Sequence, residues 1–151
     1  MTSIIEVYNP MSAYTSAINK LEKNGIRATK QRRVLAKLIF DKGKRHISAE
    51  NLFDEVKKDE RKISMATIYN TLKQFTNLGL IREIVVDQNK SLYCNNNQSH
   101  YHLYIEDEGK VIDIPTQNID LDIPSIPACL KLHDIDAVSY THLTLPTTPY
   151  V

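Results

Sequence analysis

Only two cysteines, Cys94 and Cys129, occur in 151 residues, and they form no CxxC pair. Neither a disulfide framework nor a four-thiolate zinc site can be built from them. No run approaches the ~20 apolar residues of a membrane span, and Met1 to Pro10 lacks the basic-then-apolar layout of a signal peptide. The cytoplasm is therefore the expected location, without a membrane partner. There is no glycine-rich loop, no nucleophile elbow and no internal repeat, which leaves little for an enzyme to work with. What remains, 42% hydrophobic and 25% charged, suffices for one ordinary globular domain or two small ones.

The net charge of +1 conceals a segregation along the chain. Met1 to Tyr93 carries 17 Lys/Arg against 10 Asp/Glu, whereas Cys94 to Val151 carries 2 against 8. A +7 part faces a polyanion more readily than a −6 part, and the acidic part is better suited to another subunit or a cation. Ten of the basic residues lie between Lys20 and Arg45. Such runs are more often solvated helix faces than binding sites, so charge alone decides nothing.

Four helices are expected before Leu80. Ser12, Thr29, Ser48 and Ser64 are their caps, and Gly25, Gly43 and Gly79 are stops for three of them. Their apolar stripes run through Tyr14, Ile18 and Leu21; Val34, Leu35, Leu38 and Ile39; Leu52, Phe53 and Val56; and Ile68, Leu72, Phe75 and Leu78. Two strands follow, Leu80 to Val86 and Ser91 to Cys94, around a turn at Asp87 to Lys90. Helices followed by a short hairpin make a winged helix-turn-helix. Further strands are expected at Tyr101 to Ile105 and Lys110 to Ile114, and Pro115 to Pro127 has no helical stripe. The class is α+β. The segment from Ser139 to Val151 turns abruptly to Thr, Pro and Tyr with no charge. It resembles translated sequencing adapter, and on that reading the native C-terminal sequence is missing.

The fourth helix carries the most information. Opposite its apolar stripe it presents Ala66, Tyr69, Asn70 and Lys73. These groups suit base edges better than water: Asn pairs bidentately with adenine, Ala66 or the Thr67 methyl meets a thymine methyl, and Tyr69 reaches base or phosphate. An incidental polar face is the competing reading. Thr29, Lys30, Arg32 and Arg33, at the start of the second helix, are candidate phosphate contacts. A second constellation is His100-Tyr101-His102, whose imidazoles share one face of a strand, with His46 and Cys94 as further candidates. Imidazole accepts zinc, iron and manganese alike. By spacing alone, an ordinary pair of satisfied histidines is the commoner outcome.

The combination of Arg45-His-Ile-Ser-Ala-Glu50, Ser64-Met-Ala-Thr-Ile-Tyr-Asn-Thr-Leu-Lys-Gln-Phe75, Gly79-Leu80, His100-Tyr-His102 and Gly109-Lys-Val-Ile112 resembles the ferric uptake regulator family. That resemblance implies a winged-helix domain (residues 1–91), a small α/β dimerisation and sensor domain (92–138) and a suspected non-native tail (139–151). It also implies a dimeric transcription regulator, not an enzyme, bound to double-stranded operator DNA. Regulatory metal ligands are expected at the hinge: His46, His100 and His102, with Cys94 where many relatives carry a carboxylate. Ile105 to Glu108 stands where many members have a structural-zinc CxxC, so that zinc is not expected. Ser99 and Tyr101 replace the ligands of a second hinge site. These departures, with Ala66 to Leu72 and Val111 to Pro115, look like the iron response regulator (Irr) branch. The effector is then iron, manganese or zinc, or haem held by the histidines around His100, with Cys94 or Tyr101 as alternatives. Two other readings compete: a hydrolase with a three-histidine zinc site, and a winged helix that binds protein.

Overall fold

A computed structural model describes residues 12–132 and 135–141, and the chain divides after Asn97 into two compact units. The first unit opens with α1 (Ala13–Lys23), α2 (Lys30–Phe40), β1 (His46–Ile47), α3 (Ala49–Lys58) and α4 (Met65–Asn77). Each helix begins on the expected cap: Ser12, Thr29, Ser48 and Ser64 accept a hydrogen bond from the backbone N–H three residues on, satisfying one of the donors that a helix start leaves over. Gly25 and Gly79 take the left-handed conformation (φ +74 and +71) that lets the chain turn after α1 and α4.

The apolar stripes meet in one core. Leu21, Leu35, Leu52, Ile68, Leu72 and Phe75 are fully buried, joined by Ile39, Val56 and Ile47. Tyr14, Val34, Phe53 and Leu78 lie at its margin, only partly covered. The wing follows as β2 (Arg82–Asp87) and β3 (Lys90–Cys94), antiparallel, with Arg82 opposite Cys94 and Ile84 opposite Leu92. The sheet order is β1-β3-β2. The two-residue β1 was not foreseen, because so short a strand has no alternation to read. Residues 92–94 belong to the wing ladder, so the division falls after Asn97 rather than at residue 91.

The second unit is built on β4 (His100–Ile105) and β5 (Lys110–Pro115), joined through Gly109 at φ +62. Its third strand, β6 (Val138–Thr141), lies parallel to β4, giving the order β5-β4-β6. Ser139 to Thr141, whose composition reads as foreign, thus pair with Leu103 to Ile105; the rest of that tail lies outside the described residues. Apart from a 3-10 turn at Thr116–Asn118, the stretch between β5 and β6 has no regular structure among the described residues. No α-helix of this unit is among them. The α+β class stands, with the α-helices of the described residues confined to the first unit.

Candidate nucleic-acid interface and metal-ligand clusters

On α4 the two faces separate as the sequence pattern requires. Ile68, Leu72 and Phe75 are fully buried, while Ala66, Tyr69, Asn70 and Lys73 are exposed. Thr67 is half-buried, and its hydroxyl is held 2.9 Å from that of Ser64 at the cap. The Tyr69 hydroxyl donates to Glu50 Oε1 at 2.8 Å. This hydrogen bond is the main reason the Glu50 carboxyl sits below, and the Tyr69 phenol above, its ordinary value. The bond fixes where the tyrosine ring stands over α3, a link that no helix stripe reveals.

The basic residues of α2 divide into two kinds. Arg32 Nε donates to Gln74 Oε1 of α4 at 3.0 Å, and its Nη1 donates to the Arg27 carbonyl at 2.6 Å. Arg33 Nε donates to the Ala28 carbonyl, and its Nη2 pairs with Glu22 at 3.4 Å. Both arginines therefore spend guanidinium donors on the protein itself. Thr29 spends its hydroxyl on the Arg32 amide. Lys30 is exposed at the first helical position, so among these it is the residue best placed to meet a phosphate.

The Arg45 to Glu50 segment positions much of the first unit. Asn95 accepts from the Arg45 amide at 2.8 Å and donates to the Ile39 and Gly43 carbonyls, both at 2.7 Å, which ties β1 beside β3. His46 thereby stands opposite Cys94, their ligand atoms within 4.8 Å. Ile47 enters the core, Ser48 caps α3, and Glu50 takes the Tyr69 hydrogen bond. Cys94 is buried, and the Asn96 amide donates to its sulfur at 3.4 Å.

In the second unit, β4 alternates buried and half-buried residues, and His100 and His102 share the buried face. Their Nε2 atoms are 2.9 Å apart. Asp113 Oδ1 on β5 lies 3.3 Å from the first and 3.6 Å from the second. Such spacings are near the roughly 3.3 Å between donors around a small tetrahedral cation. His100 Nδ1 faces the Gln98 carbonyl, so a proton held there leaves the Nε2 lone pair for a ligand. Asp113 was missed from sequence, yet the signal was available. A hairpin closed by Ile105 and Lys110 places Asp113 directly across from His102.

These features have known counterparts. The pattern described as the Ferric uptake regulator family matches residues 23–137. The peroxide-responsive repressor PerR of Staphylococcus saprophyticus is 31% identical over 104 residues, 69% of this chain and 70% of that protein. The repressor of the same name from Staphylococcus aureus strain Mu50 is 29% identical over 109 residues, 72% and 73%. Among solved structures, a zinc-bound manganese uptake regulator is 27% identical, with a TM-score of 0.62 over 85% of this chain and 98% of that one. The ferric uptake regulator of Pseudomonas aeruginosa with manganese shares the fold, with a TM-score of 0.65 at 22% identity over 84% and 97%. The fold defines the class as a winged-helix protein, and the match to a family of transcription regulators gives it that role. The chain belongs to the ferric uptake regulator family. No helix among the described residues is long and apolar enough to cross a membrane.

Proposed function

We propose that the chain is a homodimeric repressor in the cytoplasm that reads operator DNA through α4 and answers to iron status through a divalent cation held by both units. The observation that carries this reading is the convergence of His100, His102 and Asp113, whose ligand atoms lie within 4.8 Å of one another. His46 and Cys94 are the first unit's contribution. Only five residues separate Cys94 from His100, so the chain itself keeps the two donor sets within about 20 Å. Imidazole, thiolate and carboxylate together suit iron, manganese or zinc. Haem fits less well, because the His100 and His102 side chains are 5% and 0% exposed and both face Asp113. A bound cation supplies a cross-link between the units.

His46 lies on the strand that leads through Ile47 and Ser48 into α3. Restraint on that strand reaches the helix-turn-helix directly, and a dimer's two recognition helices would be spaced differently in the two states. Iron as the signal rests on the finer likeness to the iron response regulator branch, through the missing CxxC at Ile105 to Glu108 and the runs Ala66 to Leu72 and Val111 to Pro115. The dimer is supported by exposed Leu121, Ile123, Ile126, Leu130 and Leu132 in the acidic second unit. The test is DNA binding with and without Mn²⁺ or Fe²⁺. The H100Q/H102Q variant should bind no cation at the centre and lose the metal dependence while keeping the far-ultraviolet spectrum of the wild type. Unchanged metal dependence in that variant would sink the assignment.

A further inference from the structure

The first unit also holds a cavity of about 270 Å³ lined by Lys30, Gln31, Val34, Arg61, Lys62 and Ile63. Three of the six are cations, none of the lining residues is acidic, and Lys30, Arg61 and Lys62 are all exposed. The pad joins places 31 positions apart in sequence, which is why the basic run from Lys20 to Arg45 did not disclose it. Two local features build it. After α3 the chain reverses at Glu60, whose φ of +55 is in the left-handed region, and the Arg61 amide then donates to the Val56 carbonyl at 3.2 Å. Ile63 is driven into the core, leaving Arg61 and Lys62 on the surface just before the Ser64 cap of α4. From the other side, Lys30 and Gln31 are the first two residues of α2. Their amides belong to the set that has no carbonyl one turn back, so the positive end of an eleven-residue helix faces the same space.

A helix start alone would say little, but here it coincides with three cations from two separate segments around one cavity. We infer that Lys30, Arg61 and Lys62 form a clamp for a backbone phosphate of duplex DNA, beside the groove that α4 enters. The inference rests on the operator-binding reading above. The reason for choosing DNA is position. In helix-turn-helix proteins the N-terminal residues of the recognition helix approach base edges, so the residues immediately before that helix stand where the sugar-phosphate backbone runs. Phosphate contacts set register and carry no sequence information. The clamp would therefore raise affinity for every duplex equally and leave base preference to Asn70 and its neighbours.

The experiment is fluorescence anisotropy of the full chain with Mn²⁺, titrated against an AT-rich palindromic duplex and a scrambled duplex of the same composition, between 50 and 200 mM KCl. Three variants are compared with wild type: R61Q/K62Q, the charge-matched K20Q/K23Q on α1, and N70A. One phosphate contact contributes about 0.9 to the slope of log K against log salt. R61Q/K62Q should therefore lower the slope by about one, so that the wild-type advantage grows about three- to fourfold from 200 to 50 mM salt. Both duplexes should weaken by the same factor, and K20Q/K23Q should change the slope far less. A wild-type slope in R61Q/K62Q, an equal change in K20Q/K23Q, or a loss confined to one duplex would each overturn the clamp while N70A still reports base reading. If wild type binds neither duplex, the operator-binding reading fails first and the clamp with it.

Discussion

The two units solve the problem of burial differently. In the first, four capped helices close over an aliphatic and aromatic core, and Tyr69 and Val85 are its only large apolar residues left exposed among those described. In the second, the buried side chains of the sheet include His100 and His102 beside Tyr104 and Val111, while Ile112, Leu121, Ile123, Ile126, Leu130, Leu132 and Tyr140 are exposed. A unit that buries imidazoles and exposes isoleucines is not stabilised chiefly by its own apolar core. On the function proposed above, a second copy over the apolar surface and a cation among the imidazoles are the additions its chemistry suits.

That contrast can be broken most forcefully from the core side. Leu72→Ala removes a fully buried side chain from α4 and should cost ~2–5 kcal/mol, read by denaturant unfolding at 222 nm. Leu132→Ala, in the second unit and 47% exposed, should change the same curve by under ~0.5 kcal/mol. Equal effects would erase the distinction between the units. Next in size, Ile123→Ser combined with Ile126→Ser should leave that unfolding curve in place. It should also raise the dimer dissociation constant at least about tenfold, since each apolar side chain covered at an interface contributes on the order of 1.5 kcal/mol or more. Sedimentation equilibrium that finds an unaltered dimer would move the interface elsewhere.

The smallest effect concerns a charged brace inside the first unit. Burial works against the ionised form of Glu55, but hydrogen bonds from Arg45 and Lys42, with their charges, outweigh it and hold the carboxyl below its ordinary 4.5. Arg45 Nη2 reaches Glu55 Oε1 at 2.8 Å, and its Nη1 donates to the Leu38 carbonyl at 2.9 Å. A depressed folded pKa means that the stabilisation is present above the unfolded value and disappears as pH falls through the folded one. Glu55→Gln should cost about 1 kcal/mol at neutral pH, and the gap to wild type should close as pH drops below 4.5. A gap that persists undiminished in acid would show that packing, not charge, is what Glu55 contributes.

Much of the first unit was legible in the sequence because its signals are local. A serine or threonine cap, a stripe of period near 3.6 and a glycine stop each act within one or two turns, and all four helices start on their expected caps. The shared strand face of His100 and His102 is equally local, since alternation is a property of one strand. His46 and Cys94 stood beside them as further candidates, and the family likeness gave all four a common role as hinge ligands. What only the tertiary structure decided involves partners far apart in the chain. It placed Asp113 against the two histidines through strand pairing, turned Arg32 toward Gln74, gave the Tyr69 hydroxyl to Glu50, and brought Lys30 to Arg61 and Lys62 around one cavity. The physical reason is the same in each case. A periodic pattern states which face of an element is covered, but which donor meets which acceptor across two elements depends on how their side chains pack.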